Sequence, residues 1–207
     1  KREEGLFVHA KKEGICKIWY ANGQLEMIGY NKNGYQDSLC TFFYPSGTKK
    51  EEGNFKKDQR FGNWTSWYDN EQLKSARTIK EGTMYLYNYF TADGTQLVND
   101  GNGSYVSYST NNELQFKGAY KDGRRTGEWS EFDAQKNLIS KGNYKNGVMS
   151  GDWIYYWSKA TQPKLTGNVS AGKKNGVWTY YYKGSQKLKE ISFVDGKENG
   201  PMKEWFE

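Results

Sequence analysis

A nucleophile–base pair or a multi-histidine metal centre would have to use His9, the sole histidine of this 207-residue chain. It lies ahead of the first full repeat and reads as a surface residue of a terminal segment, not as a ligand or base. The only cysteines, Cys16 and Cys40, are 24 residues apart and occupy the same place in two adjacent copies of a repeat set out below. Equivalent residues of consecutive hairpins sit two strand spacings apart, roughly 9.5 Å. A disulfide needs Cα atoms within about 7 Å. Two free thiols acting as small buried apolar groups are therefore expected. Carboxylates such as Glu128, Glu131, Asp133 and Asp152 are plentiful, but a glycosidase needs two of them held ~5–10 Å apart in a cleft. No P-loop, dinucleotide fingerprint or EF-hand loop is found. The sequence predicts no enzyme, no metal site and no cofactor.

The residues that could bind something are aromatic: 17 Tyr, 10 Phe and 8 Trp, or 17% of the chain, against 35% hydrophobic residues in all. The candidate binding residues are Trp64, Trp129, Trp153, Tyr155, Trp157, Trp178, Tyr180 and Tyr182, on faces that a partner's apolar groups or a sugar ring could use. The competing use of the same rings is structural, with Trp64, Trp129, Trp153 and Trp178 forming one stabilising ladder. Lys173, Lys174, Arg124 and Arg125 are placed in inter-repeat turns, where they could fringe such a surface.

The net charge of +6 is dispersed. Residues 1–60 hold 11 Lys/Arg against 8 Asp/Glu, residues 61–125 hold 7 against 7, and residues 126–207 hold 12 against 9. A nucleic-acid surface concentrates its basic charge, so no nucleic-acid partner is expected. There is no run of ~20 apolar residues to suggest a membrane-spanning helix. The reading favours the mature chain of an exported or envelope-associated bacterial protein over a cytoplasmic one.

The elements that must position these residues follow from an internal period. Gly-x-Trp recurs at Gly62/Trp64, Gly127/Trp129, Gly151/Trp153 and Gly176/Trp178, and weaker copies are anchored at Cys16, Cys40, Leu86, Tyr105 and Met202. Successive anchors are 24, 24, 22, 19, 24, 24, 25 and 24 residues apart, irregular only around 83–105. Three residues after the anchor comes an aromatic, then a turn such as Asn22-Gly23, Ser46-Gly47, Asp93-Gly94 or Lys183-Gly184. A Leu follows in most copies, then a Gly-x-aromatic step such as Gly53/Phe55, Gly118/Tyr120 or Gly142/Tyr144. Two Tyr/Trp/Phe/Thr-rich runs separated by Asn-Gly or Asp-Gly turns predict a β-hairpin with primed turns. No 3.6-residue apolar period is sustained. The fold expected is all-β: an elongated single-layer antiparallel meander of about nine tandem hairpins forming one array over 1–207. The copies run roughly 14–37, 38–61, 62–83, 84–102, 103–126, 127–150, 151–175, 176–199 and 200–207, the last partial. Rings are expected on both faces.

Three stretches carry a family resemblance: Gly53-Asn-Phe-Lys-Lys-Asp-Gln-Arg-Phe-Gly-Asn-Trp64, Gly118-Ala-Tyr-Lys-Asp-Gly-Arg-Arg-Thr-Gly-Glu-Trp129 and Gly142-Asn-Tyr-Lys-Asn-Gly-Val-Met-Ser-Gly-Asp-Trp153. Each resembles a MORN unit, and the 24-residue spacing is most similar to the bacterial MORN repeat variant group, some of whose members are labelled antitoxin components. The resemblance implies a hairpin ribbon and a non-catalytic scaffold for a protein partner, and it brings no catalytic residue. The alternative is a choline- or cell-wall-binding array, also built from aromatic hairpins, which suits clusters such as Trp153–Trp157 and Trp178–Tyr182. Its repeats are shorter and lack the Gly-x-Tyr-x-x-Gly step. A glycan, or an anionic lipid headgroup held by the basic fringe, is the corresponding alternative partner.

Overall fold

The computed structural model describes residues 2–109, 111–159 and 161–206. Eighteen strands and no helix are found among them, divided between two compact units, 1–102 and 103–207. The boundary falls within the stretch where the repeat period is irregular. The first unit holds β1 (Arg2–Val8), β2 (Lys11–Trp19), β3 (Leu25–Lys32), β4 (Tyr35–Phe43), β5 (Lys49–Lys56), β6 (Gln59–Trp67), β7 (Leu73–Lys80), β8 (Thr83–Phe90) and the short β9 (Gln96–Asn99). The second holds β10 (Asn102–Tyr108), whose first residue lies at the boundary, then β11 (Leu114–Lys121), β12 (Arg124–Phe132), β13 (Leu138–Lys145), β14 (Val148–Tyr156), β15 (Pro163–Ser170), β16 (Lys173–Tyr181), β17 (Lys187–Val194) and β18 (Lys197–Glu204). Within each unit every strand pairs antiparallel with the next in sequence. The hairpin meander is as the repeat predicts.

Two kinds of turn alternate, and this corrects the sequence reading. Primed turns are expected at Asn22-Gly23, Ser46-Gly47, Asp93-Gly94 and Lys183-Gly184. There only the glycine has positive φ, joined in the last case by Ser185. In the first of them Gly23 N–H donates to Tyr20 O and Tyr20 N–H to Gln24 O, which is a type I turn closed by a left-handed residue. The primed signature, two consecutive positive φ values, belongs to the other turns: Asn33-Gly34, Lys57-Asp58, Asp122-Gly123, Asn146-Gly147 and Asp195-Gly196. The Leu that follows the first kind of turn pairs across it with the aromatic before it, as in Trp19↔Leu25, Trp67↔Leu73 and Phe132↔Leu138.

The Gly-x of Gly-x-Trp is a β-bulge. Trp64 faces Gly53 while Phe61 faces Asn54, so Gly62 and Asn63 are extra residues on β6. The same two-residue insertion occurs at 151–152, where Trp153 faces Gly142 and Ser150 faces Asn143, and at 38–39, where Cys40 faces Gly29 and Asp37 faces Tyr30. The first bulged residue takes a left-handed φ, +64° at Gly62, +74° at Gly151 and +66° at Ser38. Glycine is therefore the usual residue at this place.

The bulge decides where the core sits. Because it adds two residues, Arg60 and Trp64 face Phe55 and Gly53, which are two apart on β5. Residues four apart on β6 thus become same-face neighbours. The face so formed holds the buried core: Met27, Cys40, Phe55 and Trp64 in the first unit, and Trp153, Val169, Trp178, Ile191 and Phe193 in the second.

Two glycine classes follow, with different reasons to be glycine. At Gly127 φ is +63° and a Cβ would meet nothing within 4 Å; at Gly118 a Cβ would lie 2.3 Å from the Trp129 ring. Gly127→Ala should therefore cost about 1 kcal/mol of backbone strain. Gly118→Ala should cost about 3 kcal/mol, because ring or strand must move. Denaturant midpoints of the two variants check this ordering.

Candidate functional site

The aromatic face is built from one module repeated across strand pairs. A glycine on the odd-numbered strand lies eleven residues before the anchor on the next strand. A Cβ on Gly53, Gly118, Gly142 or Gly167 would lie 2.2–2.3 Å from the nearest atom of Trp64, Trp129, Trp153 or Trp178. The nearest atoms are Cγ, Cδ2 and Cε2, so each indole lies face-on across the neighbouring backbone. Two residues after that glycine, a ring stands edge-on to the same indole. Phe55–Trp64, Tyr120–Trp129 and Tyr144–Trp153 have centroids 5.2, 5.4 and 5.5 Å apart with interplanar angles of 86°, 84° and 83°. Such edge-to-face pairs stabilise by about 0.5–1.5 kcal/mol beyond their area. In the last module Val169 takes that place.

In three of the four indole modules a cation completes the arrangement, and Met149 takes its place before Trp153. Four residues before the anchor, brought alongside it by the bulge, Arg60 lies 4.0 Å over Trp64, Arg125 4.4 Å over Trp129 and Lys174 4.5 Å over Trp178. Glu51 anchors Arg60 at 2.7 Å and also pairs with Arg77. Arg125 donates to Tyr144 Oη at 3.2 Å. Burial pushes the Tyr120 hydroxyl above its usual range, partly offset by its hydrogen bond with Arg125. Lys174 and Arg125 are thus strand residues that cover rings. Arg124 and Lys173, also in strands and not in turns as the sequence reading had it, lie against the turn glycines Gly147 and Gly196.

The expected single Trp ladder is not formed. In the second unit tyrosines link the indoles in the ring series Tyr105–Tyr120–Trp129–Tyr144–Trp153–Tyr155–Trp178. Trp64 packs in the first unit with Phe42 and Phe55. The physical reason is the strand alternation: each indole occupies the space above a glycine, and the next place along the face belongs to that glycine's aromatic partner. The four indoles are 1–4% exposed. Trp129 and Trp178 donate Nε1–H to Ala119 O and Asn168 O at 3.2 and 3.0 Å.

The remaining candidates are half-buried. Tyr155 stacks on Trp153, and Tyr180 lies against Lys174 and Lys189. Trp157 lies beneath both Lys164 and Lys183. Tyr182 donates to Trp205 O at 3.3 Å, as Tyr20, Tyr44 and Tyr68 donate to Phe43 O, Trp67 O and Phe90 O at 2.7, 3.0 and 2.9 Å. These hydroxyls tie each repeat to its successor. The opposite face carries its own half-buried rings, with Arg2 over Trp19 and Lys49 over Trp67.

His9 is exposed in the turn between β1 and β2. Cys16 and Cys40 are buried and free, facing Gly5 and Gly29 two strands apart in register, as expected. No cluster of metal-ligating groups occurs among the described residues. The cations over the indoles escape sequence reasoning, because residues four apart in a strand share a face but lie too far apart to touch unless a bulge is assigned. The positive-φ glycines were the available signal.

The MORN repeat variant model matches residues 12–33, 36–57 and 125–146. Each match opens four residues before an anchor, at Lys12, Gln36 or Arg125, and ends on the first residue of a primed turn. No curated protein matches the chain.

Burial raises the Cys40 thiol to about 11 and also raises that of Cys16. A folded-state pKa above the unfolded value near 9 means that stability is full below pH 9 and is lost as pH rises toward 11. The stability difference between the wild type and Cys40→Ala should shrink across that window, read by urea unfolding at stepped pH. Arg125→Ala should lower stability by about 1–2 kcal/mol at pH 7, with the loss surviving high salt because the ring contact is partly buried.

Proposed function

We propose that this chain, three stretches of which match the MORN repeat variant model, is a non-catalytic scaffold that binds a protein partner. One observation carries this reading. On the face opposite the indoles, the second bulged residue is Ile15 or Leu39 in the first unit, 60% and 51% exposed. Tyr30, paired with Ile15, is 41% exposed, and Phe61, which shares the partner Asn54 with Leu39, is 44% exposed. The equivalent bulge residues Asn63, Glu128 and Asp152 are polar or charged and exposed, while Val177 of the second unit is 54% exposed. The repeat therefore does not require an apolar residue at this place. A set of exposed apolar residues across β2–β6, interspersed with Asp37 and Asn54, is a feature typical of interaction surfaces.

Protein is favoured over glycan or anionic lipid because this set mixes the aliphatic Ile15 and Leu39 with Tyr30 and Phe61. A sugar platform would present open indole faces, whereas the indoles of the core face are covered by Arg60, Arg125 and Lys174.

The test compares the wild-type chain with an Ile15→Glu/Leu39→Glu variant as baits in quantitative affinity capture from cells that produce the protein. The reading predicts a specific protein whose recovery falls at least about tenfold in the variant, a loss of about 1.4 kcal/mol, with the melting temperature unchanged. Equal capture by both baits, or binding only to glycan arrays or anionic vesicles, would contradict it.

A further inference from the structure

In six modules a glycine platform lies eleven residues before the anchor, and in four of them an indole covers it. At Gly29 the smaller anchor is compensated: Cys40 Sγ approaches the place of a Cβ to 2.9 Å, and Met27, Phe42 and Phe55 close over the thiol. At Gly5 no apolar side chain closes over the anchor in this way; the Glu3 carboxylate accepts from Cys16 Sγ at 3.4 Å. The nearest atom to a Cβ there is Cys16 Sγ at 3.7 Å. Above it opens a cavity of about 400 Å³ whose walls include Phe7, Ile18 and Met27, with Lys12 and Gln36 at its rim. Lys12 stands four residues before its anchor, the place from which Arg60, Arg125 and Lys174 cover rings, and it is paired with Glu3.

We propose that this cavity accepts one planar aromatic side chain, tryptophan or tyrosine, from a partner polypeptide, completing from outside the module that other repeats complete from within. The proposal rests on the protein-binding reading above, though it concerns the opposite face of the sheet. Its support is internal to the chain. The same glycine and bulge hold an indole wherever the anchor is Trp, with a cation over the ring at Trp64, Trp129 and Trp178 and Met149 in the equivalent place before Trp153; here the ring is missing. The opening is of the size of small-molecule and side-chain pockets. A thioether wall and a nearby ammonium both favour a π-system over an aliphatic group.

The test uses the full chain, N-acetyl-tryptophanamide as the side-chain probe, and the NMR signal of the Met27 methyl. The proposal expects a saturable shift with this probe and no comparable shift with cyclohexanol. Cys16→Trp should fill the cavity itself, with the melting temperature kept or raised and probe affinity at least about tenfold weaker. Should that variant fail to fold, Phe7→Lys, on a side chain 61% exposed, should weaken the probe while leaving the fold intact. No saturable shift, equal binding of cyclohexanol, or undiminished binding by a folded Cys16→Trp chain would overturn the proposal. Tighter binding of free tryptophan than of the blocked amide would assign the cavity to a free amino acid and overturn it equally. The scaffold reading fails separately, through the Ile15→Glu/Leu39→Glu comparison, which does not touch this cavity.

Discussion

An indole laid flat on the backbone of the neighbouring strand is the contact on which the rest of the structure depends. A single-layer sheet has no second layer to exclude water from its hydrogen bonds, and side chains must do so. At Gly53, Gly118, Gly142 and Gly167 the absent side chain leaves room for a ring to reach the backbone itself. The ring then buries both of its faces, one against the strand and the other against an arginine, a lysine or an aromatic edge. The anchor type changes where the platform changes. Leu86 faces Arg77 and Met202 faces Ile191, with no glycine opposite either.

The bulge makes this economical in sequence. Two extra residues re-aim the strand so that the group four positions before the anchor covers the ring, while the second extra residue projects from the other face. One local distortion therefore closes the core and also offers a display position, held by Ile15, Leu39 and Asn63 in one unit and by Glu128, Asp152 and Val177 in the other. Decoration can vary at that place without disturbing the module beneath it. Since each module spans only neighbouring strands, with tyrosine hydroxyls and turn contacts such as Asn22 Nδ2–H to Pro45 O joining repeat to repeat, stability accumulates from local terms as in other repeat arrays.

Much of the fold can be read from the sequence because its punctuation is chemical. Gly-x-Trp, the Gly-x-aromatic step and Asn-Gly turns mark hairpins, and their spacing puts Cys16 and Cys40 two strands apart, too far for a disulfide. Two things escape such reading. Asn22-Gly23 and Asn33-Gly34 look alike, yet the first is a type I turn with a closing left-handed glycine and the second is primed, because loop length and not the dipeptide selects the geometry. The shortened spacing across a bulge is also hidden. Simple alternation puts Arg125 and Trp129 on one face but two residues too far apart to touch, and the bulge removes that gap. The candidate rings were identifiable as a set, but their burial was not, since an indole beneath a cation and an open indole share one sequence pattern.

The dependence of platform on ring can be measured in the second unit, through a double-mutant cycle joining Gly142→Ala and Trp153→Leu, with unfolding free energies taken from urea titrations. If the ring requires the glycine, the alanine substitution should cost about 3 kcal/mol with Trp153 in place and under about 1 kcal/mol with leucine there, a coupling of about 2 kcal/mol. Additive effects within about 0.5 kcal/mol would contradict the account, by showing that Gly142 is needed for reasons unrelated to the indole above it.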